Sequence, residues 1–305
     1  MGFVHAFGIF KIEALVNEIS KPLGILWLFT ASLFLTAALF AWWHKENWSL
    51  VAIVAAFISQ YLIITVWSEA KFGTLVNIII LVWATVAFAE KRFEEVFIKD
   101  VRTSSKISTF GDEIVTEKHL EPLPEIVRNY LRYVGIVGKP QVYNMKIEFE
   151  GRMRRKGQTW FDFRSEQFNF FEHPTRLFFM KAKVKGLPTT GYHRYTKDQA
   201  SMNIKLFSLV TLVNKHGVEL FDAETVTYFN DLCLFAPASL VDPRIQWEVL
   251  DDVSVRAVFK NNKSQITADL LFNETGQLIN FISHDRTDVT DMNRYTFSTP
   301  VGEPL

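Results

Sequence analysis

The sequence predicts an α+β membrane protein: an N-terminal transmembrane helical bundle, then a large curved antiparallel β-sheet, half-barrel-like, with one or two packed helices. Three observations predict it. Uncharged apolar runs long enough to cross a bilayer fill roughly the first ninety residues. Beyond Pro140 the hydrophobic period changes from helical to two, and turn residues recur at short intervals.

A helix needs about 20 apolar residues to cross about 30 Å of hydrocarbon at about 1.5 Å rise per residue. Leu23–Trp43, Trp48–Trp67 and Gly73–Ala89 carry no Asp, Glu, Lys or Arg. One such charge at mid-span would cost about 2.5–3.5 kcal/mol. The breaks His44–Asn47 and Ser68–Phe72 are short enough to force antiparallel hairpins, and Trp42, Trp43, Trp48 and Trp67 sit at span ends, where indole rings favour the headgroup layer. A buried bundle of a soluble protein would show a polar face. A cleavable signal peptide would be shorter than the first span and would end on an Ala-x-Ala site. Met1–Pro22, apolar and then amphipathic, reads as an interfacial helix or as part of an earlier membrane helix. Gln60 and Asn77 are the notable polar residues of the spans and are placed to hydrogen-bond between neighbouring helices, worth roughly 1 kcal/mol. Buried charges at mid-membrane, which ion-coupled transport would need, are absent from these spans.

The flanking cations set the expected orientation. Lys45, Lys91, Arg92, Lys99, Arg102 and Lys106 lie on the side of the C-terminal domain, and Lys11, Lys21 and Lys71 on the other, which puts the large domain in the cytoplasm. The organisation is therefore a transmembrane domain over 1–90, a charged linker over 91–121 and a soluble β-rich domain over 122–305. The linker reads as a helical extension of the third span followed by an extended connector.

In the soluble domain, Pro124 opens a helix in which Ile126, Val127, Tyr130, Leu131 and Val134 recur at helical spacing and which Gly135 and Gly138 end. Period-two alternation follows through Val142–Met153, Thr159–Phe171, Arg176–Lys185, Thr190–Lys197 and Ser201–Phe207, with turn residues between them. Val218–Pro237 interrupts the strands. Glu224–Phe235 has helical spacing, with Asp222 as a plausible N-cap. Strands resume at Ile245–Leu250, Ser254–Lys260, Ser264–Asn273 and Gln277–Asp285, with a last one through Arg294–Phe297. A helix of the domain or the bilayer itself must cover one face of such a sheet.

Three blocks carry a resemblance: WSEAKFGTLVNIIIL (Trp67–Leu81), LPEIVRNYLRYVGIVGKP (Leu123–Pro140) and ETVTYFNDLCLFAPASLVDPRIQWEVLDD (Glu224–Asp252). They resemble an uncharacterised bacterial family of multi-pass membrane proteins with a C-terminal β-rich domain of unknown function. The resemblance implies architecture and no activity. It also implies an additional helix before GFVHAFGIFK and further strands after TPVGEPL.

Composition narrows the function. Thirty-three basic residues balance thirty-three acidic ones, which argues against a nucleic-acid partner. The lone cysteine, Cys233, leaves no intramolecular disulfide and no cysteine metal cluster. Phosphate-loop, dinucleotide, nucleophile-elbow and H-E-x-x-H motifs are absent, and the seven histidines are scattered singly, so neither cofactor nor metal is expected.

Three polar clusters remain. Glu224, Tyr228 and Asp231 share one helix face and could do acid–base work, or simply be a solvated face. His284-Asp285-Arg286 could bind an acidic headgroup, or form an ordinary surface ion pair. His193 and Tyr195 share one strand face, and Tyr192 and Arg194 the other, so the stretch could line a polar pocket or pack on its neighbours. The aromatic load of two neighbouring strands is the last clue. Phe161, Phe163, Phe168, Phe170 and Phe178, with Tyr195, are candidates to hold an acyl chain or other apolar ligand, unless they are ordinary core.

The expected function is a membrane-anchored protein whose β-domain binds a lipid or other hydrophobic small molecule, by analogy with open half-barrel lipoprotein carriers. The alternatives are an enzyme acting on a membrane-derived substrate through Glu224, Asp231 or His193, and a structural or assembly partner marked by an exposed apolar patch.

Overall fold

The computed structural model describes residues 2–10, 18–108, 111–154, 157–262, 264–288, 291 and 293–302. The chain forms two compact units, Met1–Glu95 with Phe207–Leu209, and Val96–Leu206 with Val210–Leu305.

The first unit contains α1 (Gly2–Ala6), α2 (Lys21–Trp42), α3 (Trp48–Thr65), α4 (Trp67–Ala70) and the start of α5 (Gly73–Ile107). By length and composition α2, α3 and α5 are each able to cross a membrane. Small residues let the helices approach: Ala37, Ala52 and Ala84 form a buried cluster. Asn77 donates to Gln60 at 3.1 Å and Gln60 to Thr74 at 3.0 Å, so the two polar span residues pair with each other across α3 and α5. Phe29, Leu35, Phe57, Ile64, Leu75 and Trp83 are more than half exposed, an apolar surface of the kind that marks a protein or membrane contact. The part of the Met1–Pro22 reading that falls on Lys11–Asn17 lies outside the described residues.

The second unit begins in α5, which runs beyond its apolar half to Ile107 as one helix. The short α6 (Glu117–Leu120) and α7 (Glu125–Tyr133) follow, with Val127, Tyr130 and Leu131 buried on the predicted face of α7. Gly135 and Gly138, at φ +72° and +81°, end that segment where a side chain would be strained.

The expectation of one large curved sheet is corrected to two sheets that do not close into a barrel. The first is a six-stranded meander in chain order: β1 (Asn144–Met153), β2 (Phe161–Phe170), β3 (Thr175–Val184), β4 (Leu187–Tyr195), β5 (Ala200–Leu206) and β6 (Val210–His216). The second holds β7 (Ile245–Val249), β8 (Ser254–Asn261), β9 (Ser264–Phe272), β10 (Leu278–Asp288) and β11 (Asn293–Pro300), also in chain order. Between them run α8 (Val218–Phe235) and a 3-10 turn (Pro237–Val241), which break the hydrogen-bond ladder. The helix itself is the reason for two sheets, since it is apolar on more than one side. Phe229 stacks on Phe259 of β8 at 5.2 Å and meets Phe281 of β10 at 5.9 Å, while Tyr228 meets Tyr195 of β4 at 5.5 Å.

Three further readings are corrected. β6 was not anticipated. α8 starts at Val218, behind Gly217 at φ +122°, rather than at Glu224. Asp222 lies inside the helix and accepts from the Ser264 hydroxyl at 2.6 Å instead of capping it.

The other face of the first sheet is covered from the end of α5. Phe97 stacks on Phe179 at 5.5 Å and meets Phe168 and Tyr192. Asp100 accepts from the Tyr192 hydroxyl at 2.8 Å and from Arg194 Nε at 3.1 Å. What read as the start of a linker is a packing segment of the domain.

Candidate functional site

Strand register assembles the first half of the site. Asn169 pairs with Arg176, which pairs with Tyr195, and Gln167 pairs with Phe178, which pairs with His193. Cross-strand partners share a face, so these six side chains form one patch against α8. From α8 come Glu224 and Asp231, seven residues and about two turns apart, hence on one helix face.

Arg176 is the hub. Its Nε donates to Asp231 Oδ2 at 2.8 Å, its Nη1 to Glu224 Oε2 at 3.1 Å and its Nη2 to Gln167 Oε1 at 2.9 Å. Gln167 and Asn169 add donors to Asp231 Oδ2 at 2.7 and 3.3 Å. His193 Nδ1 lies 2.9 Å from Glu224 Oε1, and an ionised carboxylate only accepts, so Nδ1 carries the proton. The Phe178 ring lies 4.9 Å under the guanidinium and edge-on to His193 at 5.7 Å.

Arg176, Glu224 and Asp231 are all buried, so the network has to satisfy its own charges. Burial alone would raise the Glu224 carboxyl. The His193 hydrogen bond and the charges of His193 and Arg176 more than offset this and hold it at about 2. For Asp231 burial wins over the same guanidinium and its amide donors, and the carboxyl is raised. Two carboxylates on one helix thus titrate in opposite directions because their partners differ.

Beside this network lies an open cavity of about 900 Å³, bounded by β5, β6, the first half of α8, β10 and β11. Met202, Ile204, Leu212, Val213, Leu220 and Phe297 give it apolar walls, and Glu224 connects it to the network. A β-bulge shapes its polar end. Ser283 pairs with Phe297 and Arg286 with Tyr295, so His284 and Asp285 together face the single Thr296. In a plain strand Ser283 and Arg286 would point to opposite faces. The extra residue brings Arg286 onto the face of Ser283 and Phe297, where its guanidinium lies 4.5 Å over the Phe297 ring.

The sequence candidates fall into place as follows. Glu224, Asp231 and His193 converge on Arg176. The solvated-face reading of Glu224, Tyr228 and Asp231 is therefore corrected: all three are buried, and Tyr228 donates to the Phe170 carbonyl at 2.9 Å. Tyr195 is sealed, with its hydroxyl 3.0 Å from that of Thr225. The aromatic candidates divide between two faces. Phe161, Phe163 and Phe178 share the face of the ion network, whereas Phe168 and Phe170 lie on the reverse face, where Phe97 covers Phe168. Of the His284-Asp285-Arg286 cluster, Asp285 accepts from Thr267 N and Oγ1, each at 2.7 Å, while Arg286 turns into the cavity.

Arg176, Gln167 and Asn169 escaped sequence reading. The signal for Gln167 and Asn169 was polar residues in the phase of Phe161 and Phe163, and for Arg176 a cation in the phase of Phe178, Met180 and Ala182. Among the described residues, no group of three or more His, Cys, Asp or Glu is arranged to hold a metal ion.

Fold and site define an α+β domain of two antiparallel sheets around one helix, on a chain with three helices long and apolar enough to cross a membrane. Residues 113–304 match a family of unknown function (DUF6544), and the chain belongs to that family. No curated protein and no solved structure matches it.

Proposed function

We propose that the protein is a bacterial inner-membrane protein, held by multi-pass helices, whose C-terminal domain lies on the cytoplasmic side and binds a lipid or other hydrophobic small molecule. The cavity beside α8 carries this reading. Its volume of about 900 Å³ sits at the upper end of the range for small-molecule sites, roughly 300–1,000 Å³, and its lining is mixed, with an apolar stretch through Met202, Ile204, Leu212, Val213 and Leu220 beside polar and charged groups. The apolar exterior of α2, α3 and α5 supports the membrane setting, since those side chains lose their unfavourable exposure in hydrocarbon. The reading puts the ligand in this cavity rather than among the six aromatic candidates, which lie on two faces.

An enzyme using Glu224, Asp231 and His193 gains one observation, the convergence of all three on Arg176. Both Glu224 oxygens are already engaged, and a carboxylate held at about 2 is a weak base near neutral pH. Binding is the better-supported reading.

Mass spectrometry of the full chain, purified in detergent and then extracted, tests it. A lipid or other apolar molecule should co-purify near one per chain, and Ile204→Trp, which fills the cavity, should lower its occupancy several-fold. Equal occupancy in wild type and Ile204→Trp would overturn the reading, as would no retained ligand.

A further inference from the structure

The cavity has a charged end that its apolar walls do not explain. Arg286 is half-buried, lines the cavity, and among the described residues makes no hydrogen bond or ion pair; its contact is the stack on Phe297. A guanidinium offers five donors in a planar fork, and a half-buried one left unmatched is expensive. Burial lowers its pKa, opposed by the charge of Glu224, yet an arginine stays cationic. The bulge at His284 and Asp285 places this cation on the cavity face. Bulges recur where a strand must re-aim a side chain.

The neighbours decide the sign of the site. Glu224 lines the same cavity, but its oxygens are taken by His193 and Arg176. Asp288 and the exposed Lys215 also line it, an anion and a cation that offset each other and leave the sign of the polar end to Arg286. Tyr295, Thr287 and Thr296 also line the cavity, but the Tyr295 hydroxyl donates to Asp291 at 2.6 Å and the Thr296 hydroxyl lies 3.1 Å from His284 Nδ1, so the guanidinium of Arg286 is the donor that an oxyanion would meet. On β5 and β6 the lining is supplied by Met202, Ile204 and Leu212.

We propose that Arg286 is the headgroup anchor of the cavity, and that the ligand is an amphiphile whose oxyanion, a carboxylate or a phosphate, meets this guanidinium while its chain lies along Met202, Ile204 and Leu212. The proposal rests on the ligand-binding reading above and narrows it to an anionic class. A planar carboxylate or phosphate can take two parallel N–H donors from one arginine, which fixes the polar end and orients the chain.

The test uses the full chain in phosphatidylcholine nanodiscs, with empty nanodiscs subtracted. The probes are a fluorescent C18 polyenoic acid, its methyl ester, a long-chain alkyl phosphate and inorganic phosphate. The acid and the alkyl phosphate should bind on the order of tenfold or more tighter than the ester, as expected for a charge-assisted hydrogen bond. Inorganic phosphate, lacking a chain, should compete at least a hundredfold more weakly.

Arg286→Gln should weaken the acid to the level of the ester and leave the ester unchanged, and Arg286→Lys should restore part of the preference. An unaltered melting temperature in each variant shows that the fold is intact. Equal affinity for acid and ester in the wild type, or a preference that survives Arg286→Gln, overturns the anchor while the cavity reading stands. Inorganic phosphate competing as strongly as the alkyl phosphate overturns the amphiphile in favour of a free anion. No binding of any probe removes both readings.

Discussion

One guanidinium serving two buried carboxylates sets the behaviour of the site at the level of single residues. The Glu224 carboxyl falls from its ordinary 4.5 to about 2 in the folded chain, so folding favours its ionised form. The sign follows. Its stabilisation is complete above about pH 4.5 and is lost as the pH falls through about 2. Unfolding midpoints measured from pH 6 down to pH 2.5 should decline for the wild type. Glu224→Gln should start less stable and decline less steeply, because Arg176 then loses one ionic partner and the titrating group is gone. Identical slopes would mean that Glu224 does not hold its charge in the fold. Asp231, raised by burial, opposes this trend, so Asp231→Asn should not flatten the slope.

At the level of elements, the end of α5 is the informative piece. Phe97 is almost wholly buried and packs against Phe168, Phe179 and Tyr192. Phe97→Ala should destabilise the β-domain by about 3–5 kcal/mol, the usual cost of emptying a phenylalanine site. Hydrogen exchange should quicken in β3 and β4 and stay unchanged in β8 and β9, which lie in the other sheet.

The same elements show what a sequence reveals. The turn before β4 was legible because Lys185-Gly186, with φ of +51° and +80°, carries a glycine that announces it, although Pro188 stretched the predicted break to four residues and put the strand's start at Thr190 instead of Leu187. The turn into β6 is made by Phe207 and Ser208 at φ +52° and +58° without glycine, asparagine or proline, so nothing marked it and the strand was missed. The start of α8 was misplaced for a related reason. Asp222 looks like a cap, whereas Gly217 and the apolar turn after it carry no capping side chain. The pairing of His193 and Tyr195 on one face, and Tyr192 and Arg194 on the other, was legible from period two alone. Which helix each face would meet was not, because Asp100 and Glu224 are far away along the chain. Arg286 was visible as a cation beside an acid, but its direction depends on a bulge, a two-against-one pairing between strands that alternation within one strand cannot display.

For the molecule as a whole, the apolar helices make the most direct prediction. After cell breakage the full chain should sediment with membranes, resist carbonate extraction at high pH and enter solution with detergent. A reporter fused after Gly302 should be active only if its enzyme works in the cytoplasm. Recovery in the soluble fraction would contradict the membrane assignment, and activity of a periplasmic reporter would reverse the orientation.

The place of α8 in the chain has a consequence for biosynthesis. The first sheet and the helix emerge from the ribosome before any strand of the second sheet exists. Until β8 and β10 arrive, Phe229 has neither Phe259 nor Phe281 to pack against, and the nascent half-domain holds its ion network on one side and a bare apolar flank on the other. The interval between translating Phe235 and Phe281 is when this protein is most exposed to misassociation, and when a chaperone would have the most to cover.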